Sequence, residues 1–106
     1  VVVPDDPEVK FPSQLVMYSI DGSTKLSTLA KTGTGIYSGT YTAKWWDNFF
    51  IVDEEDKVWY GTDPKDQFTL DSSDAKHHVW VNNDFTDGTS LTVTVNLNTM
   101  KWSYSK

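Results

Sequence analysis

"SLTVTVNLNTMKWSY", residues 90–104, alternates between apolar and polar side chains with hardly a break. Leu91, Val93, Val95 and Leu97 fall on one face and Thr92, Thr94 and Asn96 on the other, which is the period of a strand with one side in a core. Asn98 and Thr99 interrupt the pattern, and Met100, Trp102 and Tyr104 then share a face against Lys101 and Ser103. The stretch predicts a closing β-hairpin.

The same period extends through the chain. In "GIYSGTYTAKWW" (35–46), Tyr37, Tyr41 and Ala43 lie on one side and Ser38, Thr40 and Thr42 on the other, with Gly39 marking a bulge or a close approach. "QLVMYSI" (14–20), "NFFIV" (48–52), "KVWYG" (57–61), "QFTL" (67–70) and "HHVWV" (77–81) complete the strands, separated by turn signals such as "DG", "TGTG", "DEED", "TDP" and "DSSD". The only helix candidate is "TKLSTLAKT" (24–32), whose Leu26 and Leu29 are three apart; too short for a stable face, it reads as a loop or a single turn. Seven or eight short strands without a long helix predict an all-β fold, an antiparallel β-sandwich of immunoglobulin-like or carbohydrate-binding-module-like type, with a closed barrel as the lesser alternative. "VVVPDDPEVKFP" carries three of the four prolines, so residues 1–13 are expected to form a linker or edge segment ahead of a single domain over 14–106.

Composition narrows the function. A chain of 106 residues fits one domain. It has no cysteine, hence no disulfide, thiolate metal site or cysteine nucleophile. The net charge is -6 and the nine basic residues are all scattered lysines, which argues against a nucleic-acid partner, since phosphate binding needs a clustered basic face. No segment approaches the ~20 apolar residues of a membrane-spanning helix, so no direct membrane insertion is expected. The first residue is not Met and the opening reads like the middle of something, so an excised fragment is expected.

Catalytic signals are weak. No serine sits in a G-x-S-x-G elbow, and adjacent His77 and His78 should point to opposite faces of a strand, which argues against both a triad and a two-histidine metal site. "DEED" (53–56) lacks calcium-loop spacing and reads as a solvated turn. Paired glycosidase carboxylates would have to face each other across a cleft that a sandwich of this size rarely encloses. The expectation is a non-enzymatic domain with no cofactor and no metal.

The aromatics carry the functional signal. Adjacent Trp45 and Trp46 must diverge if the segment is extended. Trp59 opposes Val58 and Tyr60, and Trp80 opposes Val79 and Val81, so both fall on the face away from the aliphatic side chains. An outward indole can stack on a pyranose while amides, carboxylates and lysines bind its hydroxyls, by physics similar to base–aromatic stacking. Lys44, Asp47, Asn48, Asn82 and Asn83 stand beside these tryptophans and complete the candidate carbohydrate-binding set Trp45, Trp46, Trp59 and Trp80. The alternative for any one indole is that it lies flat over an edge, partly buried and inert.

Taken in order, "QLVMYSI", "GIYSGTYTAKWWDNFFIV", "VWYG" and "LTVTVNLNTMKWSY" resemble the tandem β-sandwich modules of surface glycan-binding lipoproteins of gut Bacteroidetes, the starch-utilisation outer-membrane type. The resemblance implies an immunoglobulin-like or carbohydrate-module fold on the cell surface, tethered to the outer membrane through an upstream lipidated segment, with "VVVPDDPEVKFP" as its spacer. It implies a polysaccharide or oligosaccharide as partner. Two function classes follow: a glycan-binding module stacking polysaccharide on tryptophan, and an inert spacer or protein-contact domain serving other domains of the same lipoprotein. Whichever holds, truncation of the inward Val95 to alanine should cost about 2 kcal/mol through lost transfer energy and a cavity, measured by urea denaturation.

Overall fold

The computed structural model describes residues 11–106 other than 45, 75 and 83. Its strands are β1 (Gln14–Tyr18), β2 (Lys25–Gly33), β3 (Ile36–Ala43), β4 (Asn48–Asp53), β5 (Val58–Asp63), β6 (Asp66–Asp71), β7 (Val79–Trp80), β8 (Thr89–Asn96) and β9 (Lys101–Ser105). β1–β2–β3 and β4–β5–β6 are two meanders, and the hairpin β8–β9 bridges β3 to β6. All pairings are antiparallel. β1 also pairs with β4, through Val16–Val52, Met17–Ile51 and Tyr18–Phe50.

That last pairing corrects the sandwich expectation. A sandwich leaves each sheet with two free edges, whereas here the order β1–β2–β3–β8–β9–β6–β5–β4 returns to β1 and closes an eight-stranded barrel. Alternation within a strand is the same in either architecture. The immunoglobulin-like and carbohydrate-module attributions fall with the sandwich.

The inward faces are those the alternation marks. Leu91, Val93, Val95 and Leu97 are buried together with Tyr37, Tyr41, Ala43 and Trp102. An eight-stranded barrel has an interior just wide enough for side chains to fill, and here rings do much of the filling. Tyr41 and Trp102 pack edge-on against Phe49, with centroids 5.6 and 5.9 Å away, and Trp102 stacks on Tyr104 at 5.7 Å. The polar tips mostly find partners: Trp102 Nε1 donates to the Gln67 carbonyl at 2.7 Å and the Tyr37 hydroxyl to that of Pro12 at 2.6 Å. Burial holds the Tyr37 phenol at about 12 and pushes that of Tyr41 higher still, and the Tyr41 hydroxyl has no partner among the described residues.

Segment 24–32, expected as loop, is most of β2. The reason is a bulge. Met17 pairs with Ser27 and Tyr18 with Lys25, so Leu26 is an extra residue. The bulge lets Leu26 and Leu29 both pack on the core despite a spacing of three, which in a regular strand would separate them. Gly39 marks a close approach: a Cβ there would come within 2.5 Å of the Thr28 carbonyl oxygen.

β4 and β5 pair only from Asp53–Val58 to Ile51–Tyr60 and then part. Segment 77–80 fills the gap, His77 bridging to Thr62 and β7 pairing Val79 with Phe49 and Trp80 with Asn48. Both contacts are antiparallel, while β4 and β5 are antiparallel to each other, so the chain has to kink at His78. Gly61 makes room for it, since a Cβ at Gly61 would lie 2.0 Å from the His77 carbonyl oxygen. Gly61→Ala should therefore destabilise the domain by roughly 1–3 kcal/mol through forced displacement of this backbone. Hydrogen exchange should show the Thr62 and His77 amides losing protection first.

Candidate functional site

The connection from β3 to β4 is described at residues 44, 46 and 47, and Asp47 holds it. Its carboxylate accepts from the Lys44 amide at 3.3 Å and the Asn48 amide at 3.0 Å, its own amide donates to the Lys44 carbonyl at 3.0 Å, and its carbonyl accepts from Val81 N at 2.9 Å. The turn forces Trp46 to a φ of 60°, a left-handed conformation that is an outlier for a bulky residue. Trp46 N donates to the Asn82 carbonyl at 3.2 Å, and the side chain is 50% exposed. Asn82 is tied in turn to Gln67 Nε2 at 3.0 Å and to the Tyr104 hydroxyl at 3.2 Å. Trp80 lies on the outer face, half-buried, edge-on to His77.

The fold thus brings Lys44, Trp46, Asp47, Asn48, Trp80 and Asn82 to one end of the barrel. Trp45 and Asn83 lie outside the described residues. Trp59 stands apart, opposite Val52 on the outside of the wall, while its neighbour Tyr60 packs inward.

Around Trp59 the structure assembles side chains that alternation alone did not single out. The Tyr18 ring lies 5.6 Å from it at an interplanar angle of 35°, and Phe50 packs edge-on at 5.8 Å. Tyr18, Gly22, Val52, Glu54, Lys57 and Trp59 line a cleft of about 350 Å³. Tyr18 arrives from β1 because β1 pairs with β4, and Gly22 from the β1–β2 hairpin, which folds over the indole at a φ of 76°. Glu54 and Lys57 come from the β4–β5 turn, Glu54 within the "DEED" run and Lys57 directly after it. Asp53 organises that turn from a buried position, its carboxylate accepting from the Glu55 and Asp56 amides at 2.9 and 3.1 Å. A sequence signal for Tyr18 existed in part: alternation puts it on the face opposite the inward Leu15 and Met17, but does not say which strand it meets there.

The polar groups of the cleft are ordered. The Tyr18 hydroxyl donates to Glu54 Oε2 at 2.5 Å, and Lys25 Nζ stands 3.7 Å from the same oxygen. That hydrogen bond, with burial and the Glu54 charge, raises the Tyr18 phenol above its ordinary range. Trp46 has no ring partner among the described residues, whereas the cleft presents two tilted rings beside a carboxylate and an ammonium group. Such a concave arrangement takes a small polar ligand with apolar faces better than a lone indole does. Among the described residues no group of three or more His, Asp or Glu side chains could hold a metal ion.

Residues 12–106 match a family described as a domain of unknown function, DUF5111. The chain belongs to that family. No curated protein and no solved structure matches it. These findings correct the resemblance to starch-utilisation surface lipoproteins, which rested on short strand motifs that a barrel carries equally well. The lipoprotein, outer-membrane and cell-surface attributions had no other support and lose their basis.

The hairpin that rims the cleft depends on Asp21, whose Oδ1 accepts from Ser19 Oγ at 2.5 Å, Ser23 N at 3.0 Å and Ser23 Oγ at 2.8 Å. These bonds hold its carboxyl at about 2, below the ordinary 3.8. A depressed carboxyl contributes order that is complete above the ordinary value and is lost as pH falls through the folded one. NMR between pH 5 and 2 should therefore show the Ser23 amide shifting as Asp21 protonates near the lower value, and Asp21→Asn should flatten that titration.

Proposed function

We propose that this domain is a non-catalytic carbohydrate-binding module and that its site is the cleft between Tyr18 and Trp59. One observation carries the reading: an outward indole and a phenol wall a cleft of about 350 Å³ whose mouth is set with Glu54 and Lys57. A sugar ring has just this mixture of apolar C–H faces and equatorial hydroxyls. The C–H face packs on the indole; Glu54 accepts from hydroxyls and Lys57 donates to them. The site offers rings and charged rims already held by Asp21, Asp53 and the Tyr18–Glu54 bond, which lowers the ordering cost of binding. Affinity for a single sugar unit is modest, because an open cleft buries little of it.

Calorimetry and affinity electrophoresis with soluble glucan, xylan and mannan test this. At least one should bind, with little dependence on salt, because a neutral glycan releases no counterions. Trp59→Ala should abolish binding, Trp59→Phe should retain part of it, and Trp46→Ala should leave it intact, with all three variants folded by near-ultraviolet circular dichroism. Binding lost in Trp46→Ala but kept in Trp59→Ala would move the site to the crossover turn. Silence across the panel would reduce Trp59 to a prop for the β1–β2 hairpin and leave the spacer reading.

A further inference from the structure

We propose that His77 and His78 form a two-imidazole site for a divalent transition metal, with Cu(II) the favoured ion. Adjacent strand residues would send these side chains to opposite faces. The kink at His78 brings them together instead, and their ring centroids lie 4.1 Å apart at an interplanar angle of 47°. The expectation of opposed histidines, on which the case against such a site rested, is thereby overturned.

Hydrogen bonding then decides which nitrogens are free. His77 Nδ1 lies 2.9 Å from the His78 carbonyl oxygen and His78 Nδ1 lies 3.3 Å from that of Val79. A carbonyl can only accept, so each neutral ring carries its proton on Nδ1 and keeps the Nε2 lone pair unprotonated. A metal-bound histidine typically has this arrangement: one nitrogen donates to a backbone carbonyl, which fixes the tautomer, while the other ligates.

The backbone beneath the pair is fixed. His77 N donates to the Thr62 carbonyl at 2.8 Å, Thr62 N to that of His77 at 2.6 Å, and Thr62 Oγ1 to that of His78 at 3.1 Å. His77 is exposed, so an ion can reach the rings from solvent, and the net charge of -6 favours a cation. No third protein ligand joins them among the described residues, which leaves the remaining positions to water. Nitrogen ligands with open tetragonal positions suit Cu(II), and Cu(II) binds such donors most tightly of the first-row divalent ions.

Cu(II) titration of the whole domain tests the proposal. Trp80 lies edge-on to His77 with centroids 4.9 Å apart, so a paramagnetic ion on the rings should quench tryptophan emission at one equivalent. Electron paramagnetic resonance should show hyperfine coupling to two imidazole nitrogens. His77→Ala and His78→Ala should each weaken binding by roughly tenfold or more, and these changes leave the backbone bonds to Thr62 in place. A second measurement needs no variant: the chain has only two histidines, so substoichiometric Cu(II) should broaden both imidazole Hε1 signals of the native protein together. Broadening of only one signal, a spectrum with a single imidazole nitrogen, or unchanged affinity in the double alanine variant would each overturn the site.

Discussion

The pairing of β1 with β4 is the constraint on which the rest of this structure depends. Three residue pairs close the ring of strands, and with them the two meanders stop being sheets with edges and become one wall. A row of unpaired backbone donors and acceptors at a sheet edge invites association with other chains, and closure removes it. β4 carries β1 on one edge and β5 on the other, and it follows β5 only from Asp53 back to Ile51. The gap is filled from elsewhere in the chain, and the kinked segment 77–80, the room left by Gly61 and the meeting of two imidazoles all follow from that geometry.

Closure also divides the aromatic residues into two populations. Tyr37, Tyr41, Phe49 and Trp102 go inside, where a narrow barrel is filled efficiently by large rings in edge-on contact. Tyr18, Phe50 and Trp59 stay outside on three neighbouring strands, β1, β4 and β5, and form a second cluster that faces solvent. Because β4 lies between β1 and β5, the outer cluster exists only in the closed barrel. In a sandwich with β1 and β4 on separate edges, Tyr18 would have no indole to meet, and there would be no cleft for the β1–β2 hairpin to cover.

The candidate site was legible in part. Parity alone placed Trp59 and Trp80 outward, opposite Tyr60 and Val79, and the structure keeps both out of the interior cluster. The grouping of Lys44, Trp46, Asp47 and Asn48 followed from adjacency, and Asn82 joins them through the β7 pairing. Tyr18 was not legible as a neighbour of Glu54 and Trp59, because a residue 36 and 41 positions away from them in the chain carries no mark of the pairing that brings it close. Leu26 and His78 show the limit of periodicity itself. A bulge at one and a kink at the other break the rule that neighbours alternate, and each break is imposed by what the backbone pairs with.

The sequence by itself determined that the chain forms short antiparallel strands, which residues of β3, β8 and β9 face inward, and, outside segment 24–32, where the turns between strands fall. These are local properties: side-chain parity, turn chemistry and the absence of an apolar stripe at helical period act within a few residues. Only the tertiary structure decided that the strands close into a barrel, which aromatic side chains share a cleft, and that two adjacent histidines meet. Each of those depends on hydrogen bonds between strands distant in the chain, and a backbone amide bonds equally well to many carbonyls, so its choice is made by the packing of the whole and not by the residue that carries it.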